Sequence, residues 1–145
     1  MNSEASAWPA LDYPGWRDTC TTLHLWTQVV GKVRLKRTPW VNHSWHATLY
    51  VTARGLNTSP IPAGGRTFEL EFDFIDHALR IEVSDGQTRA VALRPRTVAD
   101  FYKNVRSALA ELDLDLPLNE RPCEIAGAIP FSEDRTHSAY DPDSV

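Results

Sequence analysis

Apolar positions along the chain recur with two periods. In residues 15–36, Trp16, Cys20, Leu23, Trp26, Val29, Val30 and Val33 share one side of a helix drawn at about 100° per residue. Arg17, Thr21, His24, Gln28 and Lys32 form a polar stripe on the other side, and Pro39 sets the end. In residues 45–54 the period falls to two. Trp45, Ala47, Leu49, Val51 and Ala53 alternate with His46, Thr48, Tyr50, Thr52 and Arg54, which predicts a strand with one apolar face. Pro60, Pro62, Gly64 and Gly65 make residues 55–65 read as a long, stiffened connection. Phe68, Leu70, Phe72 and Phe74 then mark a second strand, and Leu79, Ile81 and Val83 a third. Asp85-Gly86 supplies a hairpin turn into a fourth strand over residues 88–94.

Thr97, with Asp100 three positions on, approximates a capping box for a second helix. Val98, Phe101, Val105, Ala108, Leu109 and Leu112 form its apolar stripe, and it should end near Asp113. Residues 114–126, interrupted by Pro117 and Pro122, suit an edge strand or an extended segment. The arrangement that buries every apolar face is a two-layer α+β sandwich. It has a four-stranded antiparallel meander flanked on one face by an N-terminal and a C-terminal helix. Residues 1–14 read as a loose arm with Trp8, Leu11 and Tyr13 as candidate pinning points, residues 15–131 as the domain, and residues 132–145 as an acidic tail. The outer sheet face would carry His46, Thr48, Tyr50, Thr52, Arg54, Glu69, Glu71, Asp73, Arg80 and Glu82, with Glu71 opposite Arg80.

A chain of 145 residues with 42% hydrophobic content is the size and balance of one globular domain. No apolar run approaches the roughly 20 residues of a membrane span, and residues 1–12 lack the basic and apolar regions of a signal peptide. A cytoplasmic protein without membrane contact is expected, with Cys20 and Cys123 as reduced thiols. Charge is unevenly spread: residues 17–66 hold seven Lys or Arg against Asp18 alone, although the whole chain carries −4. Such a stretch attracts anions locally, unless its bases pair with the acidic half.

The residues quoted next resemble a known family. Residues 8–11 (Trp-Pro-Ala-Leu), 22–28 (Thr-Leu-His-Leu-Trp-Thr-Gln), 41–43 (Val-Asn-His), 49–56 (Leu-Tyr-Val-Thr-Ala-Arg-Gly-Leu), 58–62 (Thr-Ser-Pro-Ile-Pro), 64–68 (Gly-Gly-Arg-Thr-Phe) and 71–77 (Glu-Phe-Asp-Phe-Ile-Asp-His) are similar to an uncharacterised bacterial family, domain of unknown function 5996. The likeness runs from Trp8 to about Pro142 and implies membership without an activity. Other members continue into a second half that echoes the first, so the resemblance is to the N-terminal half. Ser44 stands where the family carries an aromatic residue.

No Gly-x-Ser-x-Gly elbow, His-Glu-x-x-His motif or phosphate loop is present, so no cofactor, metal or catalytic group is assigned. Cys20, on the apolar helix face, should be inert. The leading expectation is a small anionic ligand held by Asn42, His43, His46, Tyr50, Thr52, Arg54 and Thr58, with Arg54 giving a bidentate contact and Lys32 a point charge. The stripe of His24, Gln28 and Lys32 points away from the sheet and cannot share one pocket with the strand face. A metal-assisted hydrolase using His43 or His46 is the first alternative, although joint ligation needs a turn between them. A module that docks on a second copy or a partner domain is the second. A pI near 5.7 argues against nucleic acid.

Overall fold

The computed structural model describes residues 9–145; the expected pinning by Trp8 lies outside them, while Leu11 and Tyr13, the other two candidates, are exposed. Helix α1 runs Tyr13–Arg37, with Pro14 in its first turn and Arg34, Lys36 and Arg37 in its last, where bases complement the helix dipole. Thr38 is extended ahead of Pro39, and its N–H bonds back to Arg34 O. The buried face of α1 is rotated from the expected one: Thr19, Thr22, Leu25, Trp26, Val29, Val30, Lys32 and Val33 are covered, while Trp16, Cys20 and Leu23 are only partly so. At the Thr19 end the C-terminal segment meets this face, where Asp141 N–H donates to Thr19 Oγ1 at 3.0 Å.

The expected strand over residues 45–54 does not form. Ser44 is left-handed (φ 63°), Trp45–Ala47 is a 3₁₀ turn, and only Tyr50–Val51 (β1) is extended and paired, with Val51 86% exposed. Thr52 breaks the run, because its Oγ1 accepts from the N–H of Arg54 and of Gly55 and closes a tight turn. The expected connection over residues 55–65 instead supplies two strands, β2 (Gly55–Asn57) and β3 (Ile61–Ala63). They pair with successive halves of one edge of β4 (Arg66–Asp73), β2 opposite Gly55↔Asp73 to Asn57↔Glu71 and β3 opposite Ile61↔Phe68 to Ala63↔Arg66. The other edge of β4 pairs with β5 (Ala78–Val83), which pairs with β6 (Thr88–Ala92).

The result is an open antiparallel sheet of six strands, ordered β1-β2-β4-β5-β6 with β3 also on β4, in place of the expected four. Gly55 is required where β2 meets β4: a Cβ there would stand 1.9 Å from the Phe72 carbonyl oxygen.

Helix α2 (Val98–Glu111) begins as its sequence indicates, with Thr97 Oγ1 accepting from Asp100 N–H at 3.1 Å. Residues 114–126 form no strand; Pro117 and Pro122 remove donors that a ladder needs. Residues 132–145, read from the sequence as an acidic tail, are in part buried. Asp134 and Tyr140 are buried, and Trp26 stacks between Phe101 (4.7 Å) and Tyr140 (5.5 Å). Inward residues of β3–β6, Trp26 to Val33 of α1, the stripe of α2, Leu114, Phe131 and Tyr140 form one core. No helix of the described residues is long and apolar enough to cross a membrane.

Candidate functional site

The bases of residues 17–66 divide into two groups. Those of the sheet region are paired. Arg54 Nε lies 2.6 Å from Asp73 Oδ2 and its Nη2 2.9 Å from Asp76, while Arg80 Nε lies 3.2 Å from the same Asp73 oxygen and its Nη2 bonds Asp76. Asp73 Oδ1 accepts from the N–H groups of Ile75 and Asp76, closing the turn between β4 and β5. Arg54 above all, then these N–H groups and Arg80, hold the Asp73 carboxyl well below the usual carboxylate range. Asp73 in turn raises both guanidinium groups. Arg80 thus serves Asp73 and Asp76 in place of Glu71, its cross-strand neighbour, and Glu71 accepts from Thr52 Oγ1. Arg66 pairs with Asp85 at 3.1 Å. The bases of α1 from Lys32 onward form no ion pair among the described residues.

Most of the expected ligand set is dispersed. Thr58 is fully buried, its N–H and Oγ1 both bonded to the Leu70 backbone. Thr52 is spent on its turn, and Tyr50 lies half exposed on the edge strand. His46 is buried, with Nδ1 accepting from Val41 N–H at 3.2 Å and its ring edge-on to Trp40. Asn42 is exposed and left-handed. His43 faces a cavity on α1. The turn that would let His43 and His46 act together exists, yet no cluster of three His, Cys, Asp or Glu with metal-holding geometry occurs among the described residues.

That cavity, of about 400 Å³, lies against the polar stripe of α1. His24, Gln28 and Lys32 form its floor on α1, and His43, Ser44, the apolar Leu35 and Leu49, and Cys123 with Glu124 line the rest. Spacing of four places the three floor residues one turn apart on one face of α1. The chain at Cys123 is held by the Gln28 side-chain amide, whose Oε1 accepts from Cys123 N–H at 2.7 Å and whose Nε2 donates to Cys123 O at 3.0 Å. Lys32 is 8% exposed, and its Nζ donates to Cys123 Sγ at 3.1 Å.

Ten of the twelve lining residues come from the basic stretch, and His43 is the member of the expected ligand set among them. The stripe on α1 carried the signal. Cys123 and Glu124 had none, because the contacts that bring this segment to α1 span 91 and 95 positions.

A family model described as a family of unknown function (DUF5996) matches residues 8–145. The chain belongs to that family. No curated protein and no solved structure matches it. Membership in DUF5996 covers α1, the sheet, α2 and the C-terminal segment alike, so every wall of the cavity lies within the family's span.

Proposed function

We propose that the protein binds a small anionic molecule in the cavity against α1, with Lys32 supplying the charge. The observation that carries this is the environment of Lys32: a nearly buried ammonium whose hydrogen-bond partner is a thiol, with no carboxylate within ion-pair distance among the described residues. Burying a charge without a counter-charge is costly, and an entering anion offsets that cost. His24, His43 and Ser44 offer further hydrogen-bonding groups, while Leu35 and Leu49 suit an apolar portion of the ligand. Glu124, exposed on the rim, disfavours a second negative charge on that side. Arg54 is not part of this site.

The test is a thermal-unfolding series in inorganic phosphate and in succinate, each against sodium chloride of equal ionic strength. A ligand at 100 times its dissociation constant adds about 2.7 kcal/mol, and each kcal/mol moves the midpoint by about 2–4 °C at this size. The wild type should rise in at least one anion, Arg54→Ala should rise equally from a lower baseline, and Lys32→Met should not respond. Equal responses from wild type and Lys32→Met would remove the proposal.

A further inference from the structure

Cys123 is not an isolated thiol. Its backbone is fixed at both polar groups by Gln28, its sulfur accepts a hydrogen bond from Lys32, and the pair opens onto a cavity that a small oxidant can enter. Cys123 is exposed as a residue, whereas Lys32, which reaches it, is almost wholly covered. Burial of this kind is unusual for lysine. Cys20 is no rival partner. It lies two turns before Gln28 on α1, about 12 Å along the axis, beyond the reach of a disulfide without backbone movement.

We infer that Lys32 and Cys123 form an oxidation site that closes into a covalent bridge when a hydroperoxide enters the cavity. In the first step Cys123 sulfur attacks the terminal oxygen of the hydroperoxide: an S–O bond forms, the O–O bond breaks, and the thiol proton leaves with the departing oxygen, as water from hydrogen peroxide and as an alcohol from an organic hydroperoxide. Sulfur is oxidised by two electrons and the peroxide reduced by two. In the second, Lys32 Nζ, having released one proton to solvent, attacks the sulfenic sulfur. An S–N bond forms, the S–O bond breaks, and the hydroxyl leaves as water with a second proton from nitrogen. Condensation of a sulfenic acid with nitrogen is established chemistry where the two are held together, and here they stand 3.1 Å apart.

Bridging converts the ammonium to a neutral sulfenamide, so the cavity loses its buried positive charge. This last consequence rests on the anion-binding reading above; the bridge itself does not.

The experiment is peptide mapping by mass spectrometry of the full chain after hydrogen peroxide treatment in chloride buffer. A crosslinked pair of peptides containing Lys32 and Cys123, released by dithiothreitol, is expected in the wild type and in Cys20→Ser. It should fall to background in Cys123→Ser and in Lys32→Arg, whose guanidinium keeps the charge without an amine to condense. Unchanged melting of Cys123→Ser, an exposed position, guards against loss through misfolding. Oxidation of Cys123 to sulfinic acid or to an intermolecular disulfide with Lys32 unmodified would overturn the inference, as would identical products from wild type and Lys32→Arg. A second arm adds phosphate. A bridge that forms equally with and without phosphate supports the oxidation site and counts only against anion binding.

Discussion

Arg54 Nε stands 2.6 Å from Oδ2 of Asp73, a side chain with no accessible surface. Arg54 and Arg80 cover the carboxylate from two strands, and the turn after β4 supplies two N–H groups beneath it. The most conspicuous base of the sheet region therefore fastens the β1–β2 turn to the β4–β5 turn.

Asp73→Asn should lower the urea midpoint at neutral pH, because it leaves two guanidinium groups facing a neutral amide. The folded carboxyl titrates below its unfolded value of about 3.9. Its contribution is thus full above that value, declines as pH falls past it, and vanishes below the folded value. The gap between wild type and Asp73→Asn should narrow steadily in urea titrations from pH 5 downward. A gap independent of pH would show that the ion pairs are not its source.

Thr58 shows how a residue suited to ligand contact can be absorbed by the fold. Between β2 and β3 its N–H donates to Leu70 O at 3.0 Å, and its Oγ1 accepts from Leu70 N–H at 3.0 Å. The hydroxyl stands where a strand carbonyl would otherwise complete the ladder. Thr58→Val keeps the shape and orphans a buried N–H, at a cost of about 1–3 kcal/mol. Amide exchange at Leu70 should quicken, Thr58→Ser should restore it, and anion responses should be untouched.

The regions legible in the sequence are those where one physical signal acts alone. Phe68, Leu70 and Phe72 alternate over a strand long enough to bury one face, Asp85-Gly86 turns as such pairs do, and Thr97 caps α2. Residues 45–54 alternate just as cleanly and mislead, because side-chain bonds from Thr52 and the close approach at Gly55 outweigh period two. The burial of the C-terminal segment was hidden for another reason: Thr19 is a polar residue, yet it is buried in α1 and its hydroxyl takes the N–H of Asp141. The cavity was half legible. Spacing of four grouped His24, Gln28 and Lys32, whereas nothing in Pro122-Cys123-Glu124 announces a contact with α1.

Tyr140 gives a test at the other end of the pH scale. Its ring stacks on Trp26, its hydroxyl lies 2.8 Å from His77 Nδ1, and burial pushes the phenol up to about 12. The unfolded phenol titrates near 10, so the group's contribution is full below about 10 and is lost as pH rises through the folded value. Denaturation midpoints of the wild type should fall over that interval, and the fall should shrink in Tyr140→Phe. Tyrosinate absorbance should likewise lose its latest-titrating component in that variant. An unchanged titration would mean that residues 136–141 open before the phenol ionises.

Gln28 carries the last prediction, because it separates the cavity's wall from its charge. Its amide satisfies both backbone groups of Cys123, each bond worth about 0.5–1.5 kcal/mol net. Gln28→Ala releases that segment. Amide exchange at Cys123 should accelerate, alkylation of its thiol should quicken, and the phosphate response should weaken without vanishing, since Lys32 remains. Gln28→Glu acts differently. One carboxylate oxygen can still accept from Cys123 N–H, but the donor to Cys123 O is gone, and a negative charge now lies one turn before Lys32, the spacing and order that favour an ion pair. The cavity then holds its own counter-charge, so the phosphate response should disappear even where the wall stays closed. If Gln28→Glu binds phosphate as the wild type does, Lys32 is not the group that attracts it.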